Sequence, residues 1–404
     1  DKGFWTVTTD AAVTPWQIED GSGNPVEATG DEQVELFRSV KAGNGRVEIA
    51  LTDGGTLSAA QVNDLSVAGT ANCYVVSAPG TYVFNARVRG NGAGEGVGFE
   101  PAIEMADGMT ADWLWTDSEG LVSGVALDTT SGDIFLTVGE GRGNALVALM
   151  QDGKVVWSWH VWVTDAPQTM TYGNGTVFMD RNLGAAGTTA GGTDAYGMYY
   201  QWGRKDPFYG GEKTETSANA FLEAKNGTVV NPAYPALDWA FSKSATTTDG
   251  AAANPMTFYN DKVGTGYNWL ASPNATLWGE AKTLNDPCPP GYRVPGTGAW
   301  EDLISGRQYI DGVSVWDGTN YGMTYTHGGQ TAWYPAQGYR NYSSGAIVGL
   351  RSSTGGSGAY WSAETSSVKS YYLFFRSKLS SSGSINNELD MNRSYGYTVR
   401  CCKE

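Results

Sequence analysis

Apolar and polar residues alternate through most of the first 165 positions, the period of strands that turn one face to a core. The stretches FWTVTTD (4–10), RVEIALTD (46–53) and NCYVVSAPGTYVFNARVRGNG (72–92) run between Gly, Pro, Asn and Asp turns. DIFLTVGE (133–140) and NALVALMQDGKVVWSWHVWVTD (144–165) continue the pattern. Asp152-Gly153 between two apolar runs is a two-residue hairpin signal. The strand after it puts Val155, Trp157, Trp159, Val161 and Val163 on one face and Val156, His160 and Trp162 on the other. Both faces are therefore expected to be covered. Short strands spaced about 8–12 residues apart suggest β-sandwich domains. A break is expected near residue 68, where SVAGTANC separates two β-rich blocks.

The pattern changes after Pro167. Residues 168–404 hold long irregular stretches, such as 210–265, with two short helix candidates. One is NAFLEAKNG (219–227). The other is GTGAWEDLISG (296–306), with Thr297 as N-cap and Trp300, Leu303 and Ile304 as an apolar face. The expected organisation is a β-rich segment over 1–68, a β-sandwich over 69–165 and a loop-rich α+β domain over 166–404. The fold class is thus mainly β, with an α+β domain at the C-terminal end.

With 404 residues the chain has room for two or three cores. Its 55 glycines, 15 tryptophans and 22 tyrosines, with 17% charged residues, suit turn-rich β architecture rather than helical bundles. Lys and Arg number 26 against 42 Asp and Glu, a net charge of −16 with no basic stretch, which excludes nucleic acid as a partner. No apolar run approaches the ~20 residues of a transmembrane helix. The chain starts Asp1-Lys2-Gly3 without a methionine, as a mature or trimmed form would, and any export signal or lipid anchor would have been lost with the missing end. Four cysteines are too few for a disulfide scaffold and show no zinc spacing.

Five ordered phrases in the second half form a set: VFMDRNLGA (177–185), YGMYYQWGRKDPF (196–208), DPCPPGYRVPGTGAWEDL (286–303), YWSAE (360–364) and NRSYGYTVRCC (392–402). Together they closely resemble the Fibrobacter-type major paralogous domain of Bacteroidetes surface proteins, a variant of the C-type lectin-like fold. Upstream, residues of about 70–165 are similar to the β-domains of fimbrillin-like adhesion proteins. The resemblance implies an exported protein of the cell surface, at a fimbrial tip or on the outer membrane. It would adhere to a glycan or host protein, with other fimbrial subunits as further partners. It also implies a bridge from Cys288 to the final strand. Alternation there groups Tyr397, Val399 and Cys401 on the apolar face, so Cys401 is the expected partner. Cys402 is then a free thiol, an intermolecular link or the true partner, and Cys73 reads as a buried small hydrophobe.

Catalytic motifs are absent: HExxH, GxSxG, Walker A and GxGxxG do not occur. His160 sits mid-strand among tryptophans and reads as structural, whereas His327 in a turn-like segment is positioned to touch a ligand. No enzyme activity is expected, although formylglycine-generating enzymes, on a related fold, use reactive cysteines. No cofactor is expected, with Glu388 and Asp390 as a weak calcium pair. The segment 333–396 is dense in Tyr, Ser, Asn, Gly and Arg, the composition of adaptable recognition surfaces. Tyr339, Arg340, Asn341, Tyr342, Asn386, Asn387 and Asn392 lie between the framework phrases and are the ligand-binding candidates. A structural fimbrial subunit with no ligand is the competing reading.

Overall fold

The computed structural model describes residues 62–92, 102–210, 227–260, 267–350, 356–377 and 384–404, and short backbone strands within the first 61 positions. The chain forms two compact units, Asp1–Gln61 and Val62–Glu404. In the first, Phe37–Gly43, Arg46–Leu51 and Thr56–Ala60 make an antiparallel sheet. Gly3–Phe4 pairs with Glu27–Ala28, and Thr6–Val7 with Trp16–Gln17.

The second unit opens with a β-sandwich. Its strands are β1 (Val62–Asp64), β2 (Cys73–Val76), β3 (Gly80–Asn85), β4 (Met109–Thr116), β5 (Val122–Asp128), β6 (Asp133–Val138), β7 (Gly143–Gln151) and β8 (Lys154–Val163). One sheet runs β5-β6-β3-β1, and the other runs from a short strand, Val229–Val230, through β4-β7-β8-β2. The expected break near 68 falls in the turn after β1. Val62–Asp64 pairs in parallel with Thr81–Val83, so β1 belongs to the sandwich. Between the sheets lie Tyr74, Phe84, Ile134, Leu136, Val147, Leu149, Trp159 and Val161, all buried.

The Asp152-Gly153 hairpin forms as expected. Gln151 faces Lys154, and both turn residues have positive φ, 51° and 73°, matching the right-handed twist of the flanking strands. The face assignment of β8 needs one correction. The ladder with β7 slips between Leu149 and Met150, so one extra residue separates Val155 from Trp157. Trp157, Trp159, Val161 and Val163 face the sandwich core, but Val155 is turned to the opposite face with Trp162.

That opposite face is covered by the C-terminal half of the chain. Leu114, Trp115, Leu146, Met150 and Trp162 share one core with Trp202, Phe208, Trp239, Trp269 and Trp361. The outer sheet of the sandwich is thus the floor on which the C-terminal region is built.

Above it stands a seven-stranded sheet made of β9 (Gln337–Arg340), β10 (Ile347–Leu350), β11 (Ser357–Ser366), β12 (Lys369–Arg376), β13 (Ile385–Asn392) and β14 (Gly396–Tyr397), with Tyr200–Gln201 at one edge. The halves meet where Gly338 pairs in parallel with Gly358. Gly338 has φ +69°, and a Cβ there would sit 2.1 Å from the Val348 carbonyl oxygen. Gly338→Ala should therefore destabilise by about 2–3 kcal/mol. A urea titration showing less than about 0.5 kcal/mol would mean the junction relaxes freely.

Of the helix candidates, Gly296–Gly306 contains a 3-10 helix, Thr297–Leu303, that buries Trp300 and Leu303 as expected. Its N-cap is Gly296, not Thr297, whose hydroxyl donates instead to the Glu364 carboxylate. The candidate at 219–227 lies outside the described residues except for Gly227. Within the stretch read as irregular, α1 (Thr248–Ala253) is capped by the Thr247 hydroxyl, which accepts from the Gly250 N–H at 3.0 Å.

The chain's last strand, Cys402–Lys403, is hydrogen-bonded between Val177–Met179 and Tyr292–Arg293. Cys288 and Cys401 are disulfide-bonded, closing a separation of 113 residues. Alternation selected the right cysteine: Tyr397, Val399 and Cys401 enter one core, and Cys402 enters another beside Phe178. Cys402 and Cys73 are both buried free thiols.

Candidate functional site

A continuous ladder of aromatic rings leads from the shared core to the surface. Trp361 is fully buried and lies 4.3 Å from Tyr397, centroid to centroid. Tyr397 touches Tyr372 at 4.8 Å, Tyr339 at 5.5 Å and Tyr395 at 5.6 Å. Tyr342 packs on Tyr395 at 4.9 Å, and Tyr267 meets Tyr342 edge-on at 4.6 Å. The inner members are buried, whereas Tyr267, Tyr339, Tyr342 and Tyr395 are only partly covered. Offset and edge-to-face pairs of this kind each add about 0.5–1.5 kcal/mol beyond area burial, so the outer rings are held rigidly. Tyr267 adopts φ 63°, a left-handed conformation unusual for a tyrosine, and its carbonyl accepts from the Ser394 N–H at 3.2 Å. Burial and neighbouring phenols push Tyr395 up to about 12, so it stays a neutral donor. Phe374, Leu389 and Met391 pack partly buried against the same core.

No family model, curated protein or solved structure matches this chain.

The ligand candidates read from sequence separate in space. Tyr339 and Tyr342 stand in the ladder. Asn341 sits beside them in a tight turn, its Oδ1 accepting from the N–H and hydroxyl of Ser343 at 2.8 and 2.6 Å. Arg340 is a correction: it is fully buried, and its guanidinium donates to the carbonyls of Tyr209 and Gly345 at 2.5–3.1 Å. It also lies 4.3 Å over the Tyr209 ring. This is a framework arginine that satisfies carbonyls, not a surface donor.

The β13 residues are divided by a bulge. Tyr372 pairs with Leu389 but Phe374 pairs with Asn386, so β13 carries one extra residue there. Asn386 Oδ1 accepts from the Glu388 N–H at 2.8 Å and fixes the kink. Asn386 and Leu389 consequently share the ladder's face. Asn387 points to the other side, where its amide donates to the Thr297 carbonyl at 2.9 Å. Asn392 pairs with Lys369 on that same far side. The calcium pair is divided as well. Asp390 is bound by Lys369 Nζ at 3.1 Å, while Glu388 stands exposed on the bulge. Among the described residues no three His, Cys, Asp or Glu side chains group to hold a metal.

Tyr267 and Tyr395 escaped the sequence reading. Tyr267 follows a stretch read as irregular, and Tyr395 belongs to a phrase taken as framework. Each is a tyrosine next to a glycine or asparagine, and nothing in the local pattern says that they meet.

His327 is exposed at the tip of a hairpin, stacked parallel on Tyr325 at 6.4 Å. His160 is buried and closes a hydrogen-bonded chain. Asn144 Nδ2 donates to Asp117 Oδ2 at 2.7 Å and to the Gly184 carbonyl at 2.9 Å, so Asn144 Oδ1 is left to accept. His160 Nε2, 2.8 Å away, must then carry the proton, and Nδ1 faces the Tyr200 hydroxyl at 3.4 Å. Burial holds the imidazole neutral, lowering it to about 3. Burial also raises both free thiols, Cys402 to about 11, so neither supplies a thiolate near neutrality.

Proposed function

We propose that this chain is an exported, surface-displayed adhesion protein whose lectin-like C-terminal region binds a glycan or host protein through Tyr267, Tyr339, Tyr342 and Tyr395. The observation that carries the reading is the outer end of the aromatic ladder. Rigid, partly exposed phenols offer flat apolar area and a hydroxyl at low entropy cost, which suits the faces of sugar rings and protein side chains alike. The disulfide fits an oxidising compartment, and no helix among the described residues is long and apolar enough to cross a membrane. A structural subunit built by strand addition is favoured less by the sheet edge at β5. Edge strand β5 is broken by a slip between Ser123 and Ala126, with Gly124 at φ +56°, a bulge of the kind that discourages strand addition.

The test is a glycan and extracellular-matrix array probed with the whole chain, with calcium and with EDTA. Selective binding is expected. Tyr342→Ala combined with Tyr395→Ala should weaken it at least about tenfold, about 1.4 kcal/mol, without unfolding the protein. A blank array from folded protein, or binding that survives the double substitution, would move the assignment to the structural reading.

A further inference from the structure

At the seam between the sandwich and the C-terminal region lies a cleft of about 280 Å³. Asp117, Arg142 and Asn144 form the sandwich wall, and Asp194, Tyr196 and Met198 face them. Its charges do not balance. Arg142 is already engaged, 2.8 Å from Asp165, which Arg181 also holds at 2.9 Å. Asp194 accepts from the Thr189 hydroxyl at 2.8 Å. Asp117 Oδ2 takes both donors of Asn144, the N–H at 2.9 Å and Nδ2 at 2.7 Å. Among the described residues no Lys, Arg or His pairs with Asp117, and its Oδ1 accepts no hydrogen bond.

A half-buried carboxylate without a counter-ion, open to the cleft, is free to accept from a ligand, and burial raises Asp117 to about 6. A positive group with hydrogens to give would complete the site. The cleft is at the lower limit for small-molecule pockets, so the occupant is small. Tyr196 and Met198, which line the same cleft, suit a short aliphatic stem and a cation near an aromatic face. We propose that this cleft binds a primary ammonium group on a short aliphatic carrier, a lysine side chain or a free alkylamine, with Asp117 as the anchoring acceptor. The site is separate from the tyrosine ladder and does not depend on the adhesion reading.

Calorimetry on the whole chain tests it with n-butylamine, with Nα-acetyl-lysine methylamide and with 1-butanol as the uncharged isostere. The expected result is millimolar binding of an amine, with the alcohol at least about tenfold weaker. Preference for the lysine derivative points to a peptide source, and preference for butylamine to a free amine. Asp117→Asn should weaken the amine at least about tenfold. Lowering the pH from about 7.5 to about 5 should do the same, because the ionised fraction of a carboxyl near 6 falls about tenfold over that range. Arg142 and Asp194 are the other charged groups lining the cleft, and His160 behind Asn144 stays neutral until about 3. Asp194→Asn, measured in parallel, separates the contribution of the facing wall from that of Asp117. If Asp117→Asn does not fold, Thr193→Arg sets a competing guanidinium at the cleft without altering β4 or β7, and should abolish amine binding. Equal affinity for alcohol and amine overturns the proposal. So does binding untouched by either cleft substitution, or binding lost in the Tyr342→Ala, Tyr395→Ala protein instead.

Discussion

Cys288→Ala should cost about 4–5 kcal/mol of stability in the unit that begins at Val62. The bridge spans 113 residues, and in the chain-entropy account a loop of that length restricts the unfolded ensemble by about that amount. The native surroundings hold without it. Asp286 accepts the N–H groups of Cys288 and Val294 at 2.8 and 2.9 Å, and Lys282 donates to the carbonyls of Cys288 and Pro289. The last strand keeps its ladder to Val177–Met179 and Tyr292–Arg293. Most of the loss therefore acts through the unfolded chain, and far-ultraviolet circular dichroism should change little. Guanidinium titrations of Cys288→Ala and Cys402→Ala decide the matter. The second deletes a small buried thiol and should cost only about 1–2 kcal/mol. Equal losses would mean that packing, not loop closure, sets the contribution of the bridge.

Acid should destabilise the same unit through His160. The folded imidazole titrates at about 3 and the unfolded one near the ordinary value of 6.5, so below about 6.5 the unfolded chain takes up a proton that the native state refuses. Stability then falls by about 1.4 kcal/mol per pH unit, on the order of 4–5 kcal/mol by about pH 3. Asp117 works in the opposite sense. Its native carboxyl is raised, so acidification between about 6 and the ordinary 3.8 favours the folded state. The difference between wild type and His160→Gln removes this opposing contribution, since Gln still donates to Asn144 Oδ1. The wild type should lose its stability relative to the variant steadily from about pH 6.5 downward. Parallel curves over that range would show that His160 is protonated in the native state.

The features legible in the sequence arise from interactions that are local or repeat with a short period. Asp152-Gly153 specifies its own turn, Trp300 and Leu303 mark the buried side of a short helix, and the order Tyr397, Val399, Cys401 selects the bridging cysteine. Period-2 reasoning fails where one residue is inserted. Val155 changed faces at one bulge, and Asn386 was separated from Asn392 at another, because the slip is set by the partner strand. Arg340 read as a binding residue because it lies between the framework phrases, in a segment rich in Tyr, Ser and Asn. Only the assembled sheet shows the carbonyls of Tyr209 and Gly345 around it. The cleft was illegible for a related reason: Asp117, Asn144 and Asp194 come from segments far apart in the chain, with no motif linking them.

The placement of the last strand has a mechanical consequence. Tension reaching the C-terminal region from the sandwich along the chain enters at Thr164–Thr171 and meets the hairpin with Val177–Met179, which is hydrogen-bonded to Cys401 and Cys402, Cys401 in turn being disulfide-bonded to Cys288. Entry and closure thus share one small, stapled sheet. A pull transmitted along the chain loads that sheet before it reaches the tyrosine surface beside β9 and β14.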